Sequence, residues 1–120
     1  MLKKALFMTT FAIAAQIASA APSGQVHAVA IVDIMPTHAA TGARLLTAFA
    51  GKLRHAPGVV SVALIQQAGS DNHFMIDAQY ENEAAYQRVS ESADVLAFRR
   101  DVFPHLGGPW DERAGHDIAL

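Results

Sequence analysis

HFMIDAQYENEAAY, His73 to Tyr86, decides how this chain folds. Its first eight residues alternate, with Phe74, Ile76, Ala78 and Tyr80 on one side of an extended strand and His73, Met75, Asp77 and Gln79 on the other. From Glu83 the spacing becomes helical, so a half-buried strand feeds a helix that must fold back over the strand's apolar face. Tyr80 ends the strand and Tyr86 begins the helix. Two placements are open to this pair: two phenols leaning over one cavity beside a bound aromatic ring, or ordinary half-buried tyrosines with their hydroxyls at the surface.

Working back from His73, Ala68 to Asn72 (AGSDN) is a turn, and Val59 to Gln67 (VVSVALIQQ) is the strand it joins into a hairpin. Ala56, Pro57 and Gly58 end a preceding helix in which Gly42, Leu45, Leu46, Phe49 and Leu53 recur at helical spacing from an N-cap at Thr37 to His55. Before it, Val26 to Met35 (VHAVAIVDIM) is a β-branched strand stopped by Pro36. Forward from Tyr86, the helical pattern runs to Phe103. Ala85, Val89, Ala93, Leu96 and Phe103 lie along one side, Ser90 to Asp94 offers a point of interruption, and Pro104 closes the segment. The tail GGPWDERAGHDIAL turns at Gly107 to Pro109 and allows a short last strand.

The order β, α, β, β, α, with or without a last β, predicts an α+β, ferredoxin-like split βαβ protomer with helices on one face of an antiparallel sheet. A chain this short can cover only one face with its own helices. No cysteine is present, so no disulfide can compensate, and a homodimer pairing sheet to sheet is the expected solution.

The first residues read as a secretory signal peptide: Lys3 and Lys4, an apolar run from Ala5 to Ile17, then Ala18, Ser19 and Ala20. The run is too short, and too interrupted by Thr9, Thr10 and Gln16, for a membrane span of about 20 apolar residues. The division predicted is residues 1–20 as signal and 21–120 as one domain, exported to the periplasm or beyond, with no membrane contact after cleavage. Losing Lys3 and Lys4 leaves 7 Lys and Arg against 11 Asp and Glu, a net of -4 in place of -2. That balance argues against a nucleic-acid partner.

The apolar first strand ending near Pro36, APGVVSVALIQQ, NHFMIDAQYENEAAY and LAFRRDVFPHLGGPWDER together resemble the antibiotic biosynthesis monooxygenase family, dimeric α/β-barrel proteins that include quinol monooxygenases and anthrone oxygenases. The likeness spans the mature chain. It implies a cofactor-independent monooxygenase using no metal, flavin or haem, in which an electron-rich quinol or polyphenol is deprotonated and its anion reduces dioxygen. Many members carry tryptophan where this chain has Tyr80, and histidine in the second helix where it has Val89. A rival from another class is a non-catalytic periplasmic ligand-binding or stress-associated dimer of the same fold.

The candidate catalytic residues are Tyr80 and Tyr86 to orient the ring, Arg100 to steady the phenolate, and His73 or His105 to accept the proton. Arg100 enters because fourteen residues from Tyr86 bring it back near the same face of one continuous helix. Phe74, Ile76, Phe49 and Trp110 are the candidate walls for a small aromatic substrate, with dioxygen as co-substrate. His27, His38, His55, His73, His105 and His116 lack the regular short spacing of a metal site, so none is expected.

Overall fold

The computed structural model describes residues 25–120; the predicted signal peptide lies outside the described residues. Four strands, β1 (Val26–Asp33), β2 (Val59–Gln66), β3 (His73–Tyr80) and β4 (Asp111–Gly115), form an antiparallel sheet in the order β2-β3-β1-β4. Three helices cover one face: α1 (Ala39–Leu53), α2 (Glu83–Ser90) and α3 (Ala93–Val102). Single 3₁₀ turns at Pro36–His38 and Phe103–His105 precede α1 and follow α3. This is the ferredoxin-like α+β fold expected, and the tail supplies its fourth strand.

Alternation sets the sheet's two faces. Val26, Ala28, Ala30 and Val32 on β1 and Phe74, Ile76, Ala78 and Tyr80 on β3 are all buried against the helices. The register pairs Ala28 with Ala78 and Ala30 with Ile76, while on the other edge Ala28 faces Ala114. Three alanines therefore lie side by side across the middle of the inner face. Larger residues, Val32, Ile34, Phe74 and Leu46, fill the space further along, and the core divides into two clusters with the small residues between them.

α1 starts one residue later than a Thr37 cap would place it, because Pro36 to His38 form the 3₁₀ turn and His38 takes the N-cap position without a side-chain bond. Gly42 allows α1 to approach β1 closely: a Cβ there would stand 2.7 Å from Ile34. Gly58 turns from α1 into β2 at φ +91, a left-handed conformation that favours glycine.

The Glu83 to Phe103 segment is two helices. Asn82 caps α2 by accepting from the Ala85 amide at 2.8 Å, and Ser92 caps α3 by accepting from the Val95 amide at 3.3 Å. The restart at Ser92 resets the helical phase. Val95, Phe98 and Val102 are the buried residues of α3, whereas Leu96 (57 %) and Phe103 (49 %), expected on the buried side, are exposed.

Candidate functional site

A cavity lies where the two core clusters meet. Its floor is the sheet, from Ala28, Ala30, Ile76, Ala78 and Tyr80; its roof is Phe49 and Leu53 of α1 with Val95 and Phe98 of α3; Arg99, Trp110 and Glu112 close its side. Ala28, Ala30 and Ala78 are short side chains, which leaves space over the sheet at this point. Phe49 and Phe98 stack with centroids 3.8 Å apart, and Trp110 meets Phe98 edge-on at 5.7 Å. The cavity volume is about 30 Å³, room for a water or two and far below the roughly 150 Å³ in which an apolar cavity accepts benzene. An aromatic ligand must therefore displace part of the wall.

Glu112 organises the polar side. Tyr86 donates its hydroxyl to Oε2 at 2.7 Å, while Arg99 Nη2 and Trp110 Nε1 donate to Oε1 at 3.1 and 3.0 Å. One carboxylate thus ties α2, α3 and β4 together. About four acceptor positions are available on a carboxylate, so three donors leave one free. Arg99 also stands over the Trp110 ring, its guanidinium carbon 5.4 Å from the centroid. The Arg99 Nε–H is buried and has no hydrogen-bond partner among the described residues.

Tyr80 and Tyr86 meet edge to face at 5.2 Å. Tyr80 is buried and lines the cavity; Tyr86 is half-buried behind it, bound to Glu112. Burial pushes the Tyr80 phenol up to about 12, and the negative charge of Glu112 pushes it the same way. Tyr86 is also raised, by burial first and then by its bond to Glu112. Both phenols are therefore proton donors near neutral pH, and neither acts there as a base.

Because the folded phenol of Tyr80 holds its proton above the unfolded value of 10, its contribution to stability is complete below pH 10 and is lost as pH rises through about 12. Urea denaturation between pH 8 and 12 should show stability falling above pH 10, with a shallower fall in Tyr80→Phe. Equal slopes in the two proteins would contradict this assignment.

The candidates named from the sequence divide sharply. Tyr80, Ile76, Phe49 and Trp110 line the cavity, and Tyr86 supports it through Glu112. Phe74 is buried in the neighbouring cluster and does not line it. His73 alternates to the opposite sheet face, 3.8 Å from Asp33. His105 lies in the 3₁₀ turn beyond α3, its Nδ1 2.9 Å from His38 Nδ1. Neither histidine reaches the cavity. Arg100 points to solvent beside Asp101, and its neighbour Arg99 takes the place expected of it, because the helix restarts at Ser92. Val89 is buried core, so α2 offers no titratable group at that position.

Glu112, Arg99 and Phe98 also line the cavity, and the sequence pattern does not single them out. The one signal is for Glu112: Trp110, Glu112 and Ala114 alternate, which places an acid on the inward side of the last strand. Among the described residues no group of three or more His, Cys, Asp or Glu is placed to hold a metal ion, and no helix is long and apolar enough to cross a membrane.

Several solved structures share the fold. They include the Rv0793 protein of Mycobacterium tuberculosis (20 % identity, 80 % of this chain and 97 % of that one, TM-score 0.73) and PA3566 of Pseudomonas aeruginosa (23 %, 81 % and 97 %, 0.73). A variant of SnoaB, a cofactor-independent oxygenase of Streptomyces nogalater, matches at 14 % identity over 82 % of this chain and 97 % of that one, with a TM-score of 0.72. No curated protein sequence matches significantly. Residues 25–101, well over half of the chain, match the antibiotic biosynthesis monooxygenase family, and the chain belongs to that family.

Proposed function

We propose that this protein is a cofactor-independent monooxygenase that oxidises a small quinol or polyphenol with dioxygen. The observation that carries the proposal is the cavity itself, walled by aromatic rings and flanked on one side by a carboxylate, a phenol donor and an unpaired guanidinium N–H. SnoaB, with the same fold, is described as a cofactor-independent oxygenase, which supports the same class of chemistry here.

In the proposed reaction the ring lies between Tyr80 and the Phe49–Phe98 pair. Glu112, through its free acceptor position, takes the phenolic proton. Arg99 Nε–H and the Tyr80 hydroxyl donate to the resulting oxyanion, satisfying an N–H that otherwise costs about 1–3 kcal/mol of desolvation. The anion passes one electron to dioxygen, and the two radicals join as a ring hydroperoxide. Loss of water, made from the distal oxygen and two protons, leaves the oxygenated quinone. A hydroquinone and dioxygen thus become a hydroxyquinone and water. Tyr86 and Trp110 are positioning residues, holding Glu112 by one hydrogen bond each.

Oxygen uptake by chelator-treated protein with a panel of hydroquinones and anthrones tests this. Turnover above autoxidation, reduced in Tyr80→Phe, supports it; no turnover across the panel sinks it.

A homodimer built on the outer sheet face belongs to the same proposal. Val29, Ile31, Ala63, Ile65 and Met75 share that face, with Ile31 and Ile65 40 % and 41 % exposed. Such a patch on a sheet with no helix over it calls for a partner. Wild type should have a dimer's mass by light scattering, and Ile31→Glu with Ile65→Glu should halve it; a monomeric wild type would contradict this. Export is likewise proposed, with a mature N-terminus near Ala21 that sequencing of the purified periplasmic protein can check.

A further inference from the structure

Beside the cavity, on the helical side, lies a much larger space. A cleft of about 780 Å³ opens between the C-terminal half of α1 with the turn after it (Phe49, Lys52, Leu53, His55) and the ends of α2 and α3 (Arg88, Val95). That volume falls within the usual range for small-molecule sites, about 300–1,000 Å³. Phe49, Leu53 and Val95 line both cleft and cavity, so three apolar side chains are the partition between them. The inner cavity alone is too small for a ring. Displacing the partition joins it to the cleft.

The rim of the cleft is cationic. Lys52 and Arg88 face a single acid, Asp94. Lys52 Nζ reaches Asp94 Oδ1 at 3.5 Å, linking α1 to α3. Both side chains are more than two-thirds exposed, at 68 % and 71 %, so the link is weak and open to exchange. Arg88 gives one Nη2 hydrogen bond, 3.2 Å, to the Pro57 carbonyl, and it makes no other side-chain hydrogen bond among the described residues.

We propose that the cleft is the entrance and outer subsite of the cavity, and that the ligand it admits is an aromatic ring bearing a carboxylate, with the ring passing Phe49, Leu53 and Val95 and the carboxylate received by Lys52 and Arg88. This rests on the monooxygenase proposal for the inner site and narrows its substrate to an acidic quinol or polyphenol. Charge selects this occupant over the chain's own first residues. Residues 1–24 carry no acid with which Lys52 and Arg88 could pair. A second copy has the apolar outer sheet face to use.

Calorimetric binding of 1-naphthoate and of its uncharged amide, both unreactive with dioxygen, tests the subsite without requiring turnover. Wild type should bind the carboxylate about tenfold more tightly than the amide, the scale of one charge-assisted pair of hydrogen bonds. Lys52→Gln with Arg88→Gln, both at exposed positions, should bring the two affinities within about twofold and leave amide binding unchanged. Equal affinities in wild type, a preference that survives the double variant, or no binding of either probe would overturn the proposal. In parallel, kcat/KM for 2,5-dihydroxybenzoate over hydroquinone should fall by a similar factor in the double variant. If no phenol is turned over but the naphthoate preference holds, the outer subsite stands and the oxygenase chemistry fails. If both quinols are turned over alike while the two naphthyl probes bind alike, the chemistry stands and the subsite fails.

Discussion

Glu112→Gln should lower oxygen uptake about 100- to 10,000-fold, the range typical for loss of a positioned general base. Glutamine keeps the length and the amide oxygen, so Trp110 Nε1 and Arg99 Nη2 retain an acceptor where they now meet Oε1. Its NH₂ replaces Oε2, to which Tyr86 donates at 2.7 Å, and Tyr86 can reverse its role and accept. The fold should therefore survive, with a small change in Tm, while the proton acceptor is gone. The loss should fall on kcat more than on KM, since ring contacts with Phe49, Phe98 and Tyr80 are untouched. A variant as active as wild type would remove Glu112 from the chemistry.

Leu46→Ala should cost about 2–5 kcal/mol of stability. Leu46 is fully buried, packed among Val32, Ile34, Phe74, Phe98 and Val102, and it anchors the middle of α1 to the sheet. Gly42 and Leu53 are the other buried residues of that helix, so the void has few neighbours able to close it. In a domain with no disulfide and a typical stability of about 5–15 kcal/mol, such a loss lowers Tm by roughly 10 °C or more. Thermal denaturation decides it. A fall below about 1 kcal/mol would mean that α1 is held chiefly by other contacts.

The sheet and its faces were legible because period-2 alternation is local: Phe74, Ile76, Ala78 and Tyr80 declare the inner face without reference to anything distant. The turns at Gly58 and at Ala68 to Asn72 were equally local. The site was only half legible. Its alanine floor, Tyr80 and Phe49 sit on the well-patterned β1, β3 and α1, whereas Phe98 depends on the helix restart and the polar side on where β4 pairs, which brings Glu112 to residues 13 and 26 positions away. Arg99 was displaced by one position in the sequence reading for a related reason. Fourteen residues of continuous helix would carry Arg100 to the face of Tyr86, but the Ser92 cap interrupts the helix and restarts its phase. Neither histidine named as a base reaches the site: the alternation of β3 puts His73 on the outer face, and His105 lies in the 3₁₀ turn beyond α3.

The most direct test of the central claim is the fate of the two atoms of dioxygen. With ¹⁸O₂ and a hydroquinone that the protein turns over, mass spectrometry of the product should show one labelled oxygen in the quinone and the other in water. The label should be incorporated at a rate that falls with Glu112→Gln. A quinone free of label, with hydrogen peroxide accumulating in its place, would show oxidation without oxygen transfer and would contradict a monooxygenase.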